Sequence, residues 1–394
     1  MAQTWPVTRR KLAALKVADV LARGASLIPR IIWSPRRDEG KGIRKILVIE
    51  MWLIGDVVLA TPLLQALRAR FPSAHIALLA KPHAEELLRH SGLVDEVIAF
   101  DFPWTATQGK YRPDRYDRRA VASLIGRLRN ERFDLTMDCR MDVRSNVVAF
   151  ATGAPHRIGY NFGGGGYLLT HALPASPDSL HKVDDWLALL KPLDNASWAR
   201  SDGPGGPGGR LTPLLRVTDD ERAKARRRLR SLGVLDDDIV VGIHAGASNP
   251  RRRWPVEDFA WVADSVLAGR RGKALIFLDP ERYGEQMSLG CDARFLSTTL
   301  RELMASLTHC DVLICNDSGP MHIADALGVP VVGVFTTGNP VWHRPYGENQ
   351  KTVGRGTGHD FVLYPTRDEV LTAAEEQLSR SLSSFARKRE STSP

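Results

Sequence analysis

The chain is poor in the features that mark several protein classes. It has four cysteines in 394 residues, with no Cys-x-x-Cys pair and none beside a histidine cluster, although His309 precedes Cys310. That excludes a disulfide scaffold and a zinc framework. Cys139, Cys291, Cys310 and Cys315 are expected to be buried free thiols in a reducing cytosol. Aromatic residues make up only 7%. With no ribonucleoprotein, helix-turn-helix or zinc-finger signature, nucleic acid is not an expected partner. No apolar run approaches the roughly 20 residues a bilayer-crossing helix needs; Val329 to Phe335 is among the longest. Arg9, Arg10, Lys11 and Lys16 interrupt the N-terminus, so no secretory signal is expected there. Gly269-Arg270-Arg271-Gly272-Lys273 has the wrong spacing for a phosphate-binding P-loop, and no Gly-x-Ser-x-Gly nucleophile elbow occurs. Gly163 to Gly166 follows no strand directly, which argues for a mobile loop over a dinucleotide fingerprint. Asp236-Asp237-Asp238 precedes a strand instead of following one, a poor position for holding a metal.

What is present is globular. Hydrophobic residues are 43% and charged residues 25%, and the length suits two domains better than one core. The net charge of +9 and isoelectric point near 9.5 favour anionic partners, either phosphorylated small molecules or an anionic membrane face.

Hydrophobic periodicity divides the chain. Residues 1–43 form a basic N-terminal extension; within it, Ala13, Val17, Val20, Leu21 and Ile28 recur at helical spacing over about 8–28. Such a helix either packs on the protein or lies on an anionic leaflet. From Arg44 the pattern becomes β-α-β-α: strand Ile46–Ile49, helix from Val57 to Arg70 with Pro62 in its opening turns, strand Ile76–Ala80, helix Ala84–Arg89, strand Glu96–Phe100, helix Arg118–Arg129 and strand Asp134–Asp138. This alternation predicts a doubly wound parallel sheet over 44–200. A Gly/Pro segment at 201–210 reads as a linker. Alternation then restarts over 211–365, with strands at Ile239–Ile243, Ala274–Leu278, Val312–Cys315 and Val331–Phe335. A C-terminal helix from Arg367 to Ser383 and a frayed tail complete 366–394. Two Rossmann-like halves of this kind predict a cleft between them.

Three segments stand where a strand runs into a helix. In Ile314 to Ala324, Asp317 and Ser318 are N-cap candidates, the helix opens at about Gly319 or Pro320, and His322 falls in its first turn. The segment is either a well-capped helix or an anion site formed by free N–H groups and the helix dipole. In Gly242 to Pro255, a small-residue loop carrying Ser248 runs into Arg251, Arg252 and Arg253. A basic run is ordinarily a solvated face, but after a strand's C-terminal end it suits phosphate binding. In Met51 to Val58, Gly55 permits close approach, and Asp56 is either a helix cap or a general base. A further cluster, Lys110, Arg112, Arg115, Arg118 and Arg119, reads as a loop that is either solvated or meets a phosphorylated acceptor.

Taken together, Ile-Gly-Asp-Val-Val-Leu-Ala-Thr-Pro at 54–62, His-Ala-Gly-Ala-Ser at 244–248 and Asn-Asp-Ser-Gly-Pro-Met-His at 316–322 resemble the ADP-heptose:lipopolysaccharide heptosyltransferases, glycosyltransferase family 9. Gly153 to Tyr160 looks like a further family segment, and the resemblance spans about Arg44 to Tyr346. It implies an α/β GT-B fold, an inverting mechanism, an ADP-sugar donor and no metal or other cofactor. Asp56 matches the family's catalytic aspartate. Arg252 stands where a lysine commonly meets the donor phosphates. Ser248 belongs to the matching donor-side loop, and Asp317, Ser318, Gly319 and His322 match the donor-diphosphate loop. Glu281 corresponds to an acidic residue near the nucleoside. Arg252 keeps the charge of the usual lysine but changes its geometry. Leu278-Asp279 replaces small residues usual before Pro280. The implied acceptor is a phosphorylated, lipid-linked inner-core glycan, reached by a cytoplasmic enzyme peripheral to the inner membrane. A non-hydrolysing sugar-nucleotide epimerase and a non-catalytic sugar-nucleotide or membrane-binding protein remain the competing readings.

Overall fold

The structure is a computed structural model that describes residues 42–105, 117–174, 181–194, 210–337, 340–348, 350–357 and 361–391. The expected N-terminal helix over 8–28 and the Gly/Pro segment at 201–209 lie outside the described residues. The chain forms two compact units. The first takes the described residues up to Leu88 and from Gly92 to Leu211; the second takes Arg89–Ser91 and the described residues from Thr212 on.

In the first unit, β1 (Lys45–Ile49) is wholly buried after its first residue. A strand apolar on both faces must be covered on both, which is the task of crossover helices. In chain order there follow α1 (Ile54–Arg70), β2 (His75–Ala80), α2 (His83–Leu88), β3 (Glu96–Ala99), α3 (Arg118–Asn130), β4 (Leu135–Asp138), α4 (Val143–Ala151), β5 (His156–Tyr160), β6 (His171–Leu173) and α5 (Lys182–Ala188). The strands form one sheet in the order β3-β2-β1-β4-β5-β6, every pairing parallel. Strand order reverses between β1 and β4. At such a switch point the two flanking crossovers depart in opposite directions and open a crevice at the strands' C-terminal ends.

The second unit repeats the plan. It contains α6 (Asp219–Ser231), β7 (Ile239–His244), α7 (Val256–Leu267), β8 (Gly272–Phe277), β9 (Ala293–Leu296), α8 (Leu300–Leu307), β10 (Val312–Asn316), α9 (Gly319–Ala326), β11 (Val331–Val334), α10 (Pro340–His343) and β12 (Gln350–Val353). Its sheet runs β12-β11-β10-β7-β8-β9, again all parallel. The reversal here falls between β7 and β10. A small antiparallel pair, β13 (Arg355–Thr357) and β14 (Phe361–Leu363), and the long α11 (Arg367–Ser391) follow. The core of this unit gathers Val241, Ile243, Phe259, Ile314 and Val332 with Val370 and Leu378 of α11. The chain is therefore α/β, with two Rossmann-like doubly wound sheets.

Several expectations need correction. Helix α1 starts at Ile54, so Asp56 lies inside its first turn and not ahead of it. Pro62 consequently sits in the helix interior. It removes the N–H that would reach the Val58 carbonyl, and Thr61 Oγ1 donates to that same carbonyl at 2.7 Å. Arg118 and Arg119 open α3, exposed, behind the Asp117 N-cap, as the expected helix Arg118–Arg129 requires and against the reading of the whole basic cluster as a loop. The Gly163–Gly166 segment is closely packed. A Cβ on Gly163 would stand 2.1 Å from the Met141 carbonyl oxygen, and Asn146 Nδ2 donates to the Gly164 carbonyl at 2.8 Å. The C-terminal helix continues to Ser391, past the point where a frayed tail was expected.

Candidate active site

Both switch points carry polar side chains, and they differ in kind. In the first unit β1 runs straight from Ile49 into Glu50, whose side chain is completely buried. Glu50 Oε1 accepts the Trp52 N–H at 3.3 Å, while Oε2 has no hydrogen-bond partner among the described residues. Burial strips water from the charged form and pushes this carboxyl up to about 7; Arg140 opposes that shift and the nearby charge of Asp56 adds to it.

Asp56 points into the same region. Its Oδ2 accepts the Leu53 N–H at 3.2 Å, so it also closes the first turn of α1. Its Oδ1 pairs with the Lys182 ammonium from α5 and lies 3.7 Å from Arg140 Nη1. Arg140 Nη1 stands equally 3.7 Å from Glu50 Oε1. That guanidinium carbon lies over the Trp52 ring, 4.4 Å from its centroid, a position favoured by the ring's negative face. Behind it, at the end of β4, Asp138 accepts the Arg140 N–H at 2.9 Å. Burial drives the Asp138 carboxyl well above the usual carboxylate range, against a Ser145 hydrogen bond and Arg140. The site therefore places one partly exposed carboxylate between two cations, with two buried carboxyls behind them.

In the second unit the loops after β7 and β10 meet. Asn316 joins them, accepting the Trp254 N–H at 3.0 Å and donating to the Ala245 carbonyl at 2.6 Å. Helix α9 begins with Ser318 as N-cap and Pro320 in its first turn, and Ser318 makes no side-chain cap bond to the helix. Its Oγ instead lies 3.4 Å from His244 Nδ1. Burial pulls His244 down to about 4, so it is neutral near pH 7. Arg252 Nη1 lies 3.1 Å from Asp317 Oδ2, with Asp317 buried and Arg252 about one-third exposed. A guanidinium thus stands beside a helix N-terminus whose N–H groups carry partial positive charge, a combination suited to phosphate.

The three consecutive arginines separate. Only Arg252 joins the α9 terminus; Arg253 donates to the Ala247 carbonyl at 3.0 Å, pairs with Glu281 and packs over Tyr283 at 4.9 Å. The Arg251 carbonyl accepts the Thr336 hydroxyl at 2.8 Å. Asp317, Ser318, Gly319 and Arg252 are brought together, and His322 is buried one turn into α9. Ser248 is exposed on the β7 loop, and exposed Glu281 is engaged by Arg253. Gly246 has a steric reason: a Cβ there would stand 2.5 Å from Asp279 Cβ. Of the basic acceptor cluster, Lys110, Arg112 and Arg115 lie outside the described residues. Glu50, Arg140 and Lys182 were not anticipated. A charged residue ending the apolar run Ile46–Ile49 was a signal for Glu50; a seven-residue helix gave none for Lys182.

Among the described residues, no group of three or more His, Cys, Asp or Glu side chains is placed to hold a metal ion, and no helix is long and apolar enough to cross a membrane.

The profile of glycosyltransferase family 9 (heptosyltransferase) matches residues 121–363. Lipopolysaccharide heptosyltransferase 2 of Salmonella typhimurium is 24% identical over 330 residues, covering 81% of this chain and 90% of that protein. A solved glycosyl transferase family 9 protein from Veillonella parvula superposes with a TM-score of 0.69 at 22% identity, covering 86% of this chain and 98% of that one. The ADP-heptose lps heptosyltransferase II of E. coli superposes with a TM-score of 0.66 at 23% identity, covering 85% and 99%. At these identities the superpositions speak to the fold.

Proposed function

The chain belongs to glycosyltransferase family 9 and has the two-unit GT-B fold, and from that premise we propose that it moves a heptose, or a related sugar, from an ADP-sugar to a lipopolysaccharide inner-core or similar glycan. The observation that carries the donor half of this reading is the pairing of Arg252 with the N-terminus of α9 at the second switch point. The relatives named for ADP-heptose and lipopolysaccharide support the choice of sugar, nucleotide and acceptor class.

The proposed step is a single in-line displacement. The acceptor hydroxyl oxygen bonds to the anomeric carbon as the bond from that carbon to the diphosphate oxygen breaks. Asp56 takes the hydroxyl proton as general base. Charge developing on the departing ADP is met by Arg252 and the α9 dipole, which supply fixed positive charge where a metal would otherwise act. Ser248, Asp317, Ser318, Gly319 and His322 line the donor side of this reading, with Glu281 toward the nucleoside.

On the acceptor side, Lys110, Arg112, Arg115, Arg118 and Arg119 would meet phosphates of a lipid-linked glycan. The net charge of +9 suits work at the anionic cytoplasmic face of the inner membrane. An acceptor KM unchanged by neutralising that cluster would remove this assignment.

The central test incubates the full chain with ADP-heptose and other nucleotide sugars, with and without core-oligosaccharide acceptor, following nucleotide release by mass spectrometry. Acceptor-dependent release of ADP with inverted product is expected, and Asp56→Asn should lose it while still binding ADP. Release of an altered nucleotide sugar without acceptor would point to an epimerase. Wild-type turnover by Asp56→Asn would take the base role away from Asp56.

A further inference from the structure

Glu50 has no task in the mechanism above, yet its side chain is completely enclosed close to Asp56. Its place is unusual for a carboxylate: the run Ile46–Ile49 that leads into it is apolar and fully buried, and one of its oxygens has no hydrogen-bond partner among the described residues. Burying an unsatisfied carboxylate is unfavourable unless it is neutral or paired. Its nearest cation, Arg140, is not its own. The same Nη1 lies 3.7 Å from Glu50 Oε1 and 3.7 Å from Asp56 Oδ1; the Trp52 ring packs against that guanidinium, and Asp138 fixes the Arg140 backbone through its N–H.

From this shared cation we propose that Glu50 is a positioning residue for Asp56, competing with it for Arg140 and so controlling how strongly that aspartate attracts a proton. The inference rests on Asp56 being the base.

The electrostatics give it a sign. The groups facing Glu50 are Arg140 from the loop after β4, Asp56 from α1, Lys182 from α5, and Asp138 and Cys139 at the end of β4. When Glu50 is protonated, Arg140 is left to Asp56, whose charge is then better neutralised and whose basicity is lower. When Glu50 loses its proton, it draws on Arg140 and adds a negative charge behind Asp56. Both effects make Asp56 a better proton acceptor. Glu50 changes state at about 7, so its influence on turnover switches on across neutral pH.

The experiment compares wild type, Glu50→Gln and Asp56→Asn as full chains, measuring kcat and KM for both substrates against pH. Glu50→Gln should lower kcat by roughly tenfold above neutrality, with the ratio to wild type closing toward one as pH falls, and with KM for the donor unchanged. A simple packing defect would give a ratio independent of pH. That result, or wild-type kcat at every pH, overturns the proposal. An active Asp56→Asn would instead sink the reading of Asp56 itself, so the two failures are separable. If Glu50→Gln does not fold, infrared spectra of wild-type protein carrying isotope-labelled glutamate replace it. A buried protonated glutamate band should vanish through neutral pH and shift in Asp56→Asn. No such band, or one indifferent to Asp56→Asn, is equally fatal.

Discussion

Arg252 Nη1 lies 3.1 Å from Asp317 Oδ2, so the cation at the α9 terminus already carries a carboxylate. On the proposed reading, a donor diphosphate would compete with Asp317 for the same guanidinium, and the aspartate would hold Arg252 in reach beforehand. Charge-assisted hydrogen bonds of this sort contribute about 1.5–3 kcal/mol. Arg252→Ala should therefore weaken ADP binding on the order of tenfold to a hundredfold. Arg252→Lys should recover only part of it, because the ammonium lacks the planar two-pronged fork. Calorimetric titration of the full chain with ADP checks both, and wild-type affinity in Arg252→Ala would remove Arg252 from the donor site.

His244, which contacts Ser318, gives the second unit a pH limit. Its folded value of about 4 lies below the ordinary histidine value of 6.5 because burial disfavours the cation. A depressed histidine binds fewer protons folded than unfolded, so it contributes stability that is present above 6.5 and lost as pH falls toward 4. The loss amounts to a few kcal/mol at most. Denaturant unfolding should show stability falling over that window, and His244→Gln should flatten the slope. An unchanged slope in His244→Gln would assign the acid sensitivity elsewhere.

Much of the fold was legible because parallel strands buried on both faces leave unbroken apolar runs, as at Ile46–Ile49 and Val312–Cys315. The start of α9 was legible for a related reason: Ser318, Gly319 and Pro320 have strong preferences at a helix start. The site around Asp56 was less so. Lys182 lies 126 residues beyond Asp56, on a helix too short to show periodicity. Arg140 lies in a loop, and only the pairing of β4 beside β1 brings it to Glu50. Helix bounds also misled: reading α1 from Val57 put Asp56 outside the helix, whereas its bond to the Leu53 N–H belongs to the first turn.

Gly163 offers a test of packing at the same edge. A Cβ there would stand 2.1 Å from the Met141 carbonyl oxygen, a backbone atom that cannot rotate away. Gly163→Ala should destabilise the protein by about 1–3 kcal/mol. Because Met141 adjoins Arg140, kcat should fall as well. The comparison is Gly126→Ala in α3, where a Cβ meets nothing within 4 Å and the helix should gain about 0.5–1 kcal/mol. Thermal unfolding and turnover of the two variants should move in opposite directions for stability and only one should lose activity; equal behaviour would mean the Gly163 contact is not fixed.

Lys182 pairs with Asp56 Oδ1 while its ammonium lies 5.4 Å from the Trp186 ring centroid, so it is steered onto the carboxylate from one side. Two roles predict different kinetics. If Lys182 serves to keep Asp56 ionised and aimed, Lys182→Met removes a charge that favours the carboxylate form. The acid limb of the kcat/KM profile should then move to higher pH by about one unit, with the alkaline plateau retained within a few-fold. If Lys182 instead binds an acceptor phosphate, KM for acceptor should rise at every pH and the limb should stay in place. The ion pair with Asp56 favours the first outcome, and a pH series with saturating donor decides between them. An unmoved limb together with an unchanged acceptor KM would leave Lys182 a structural partner of α1 alone.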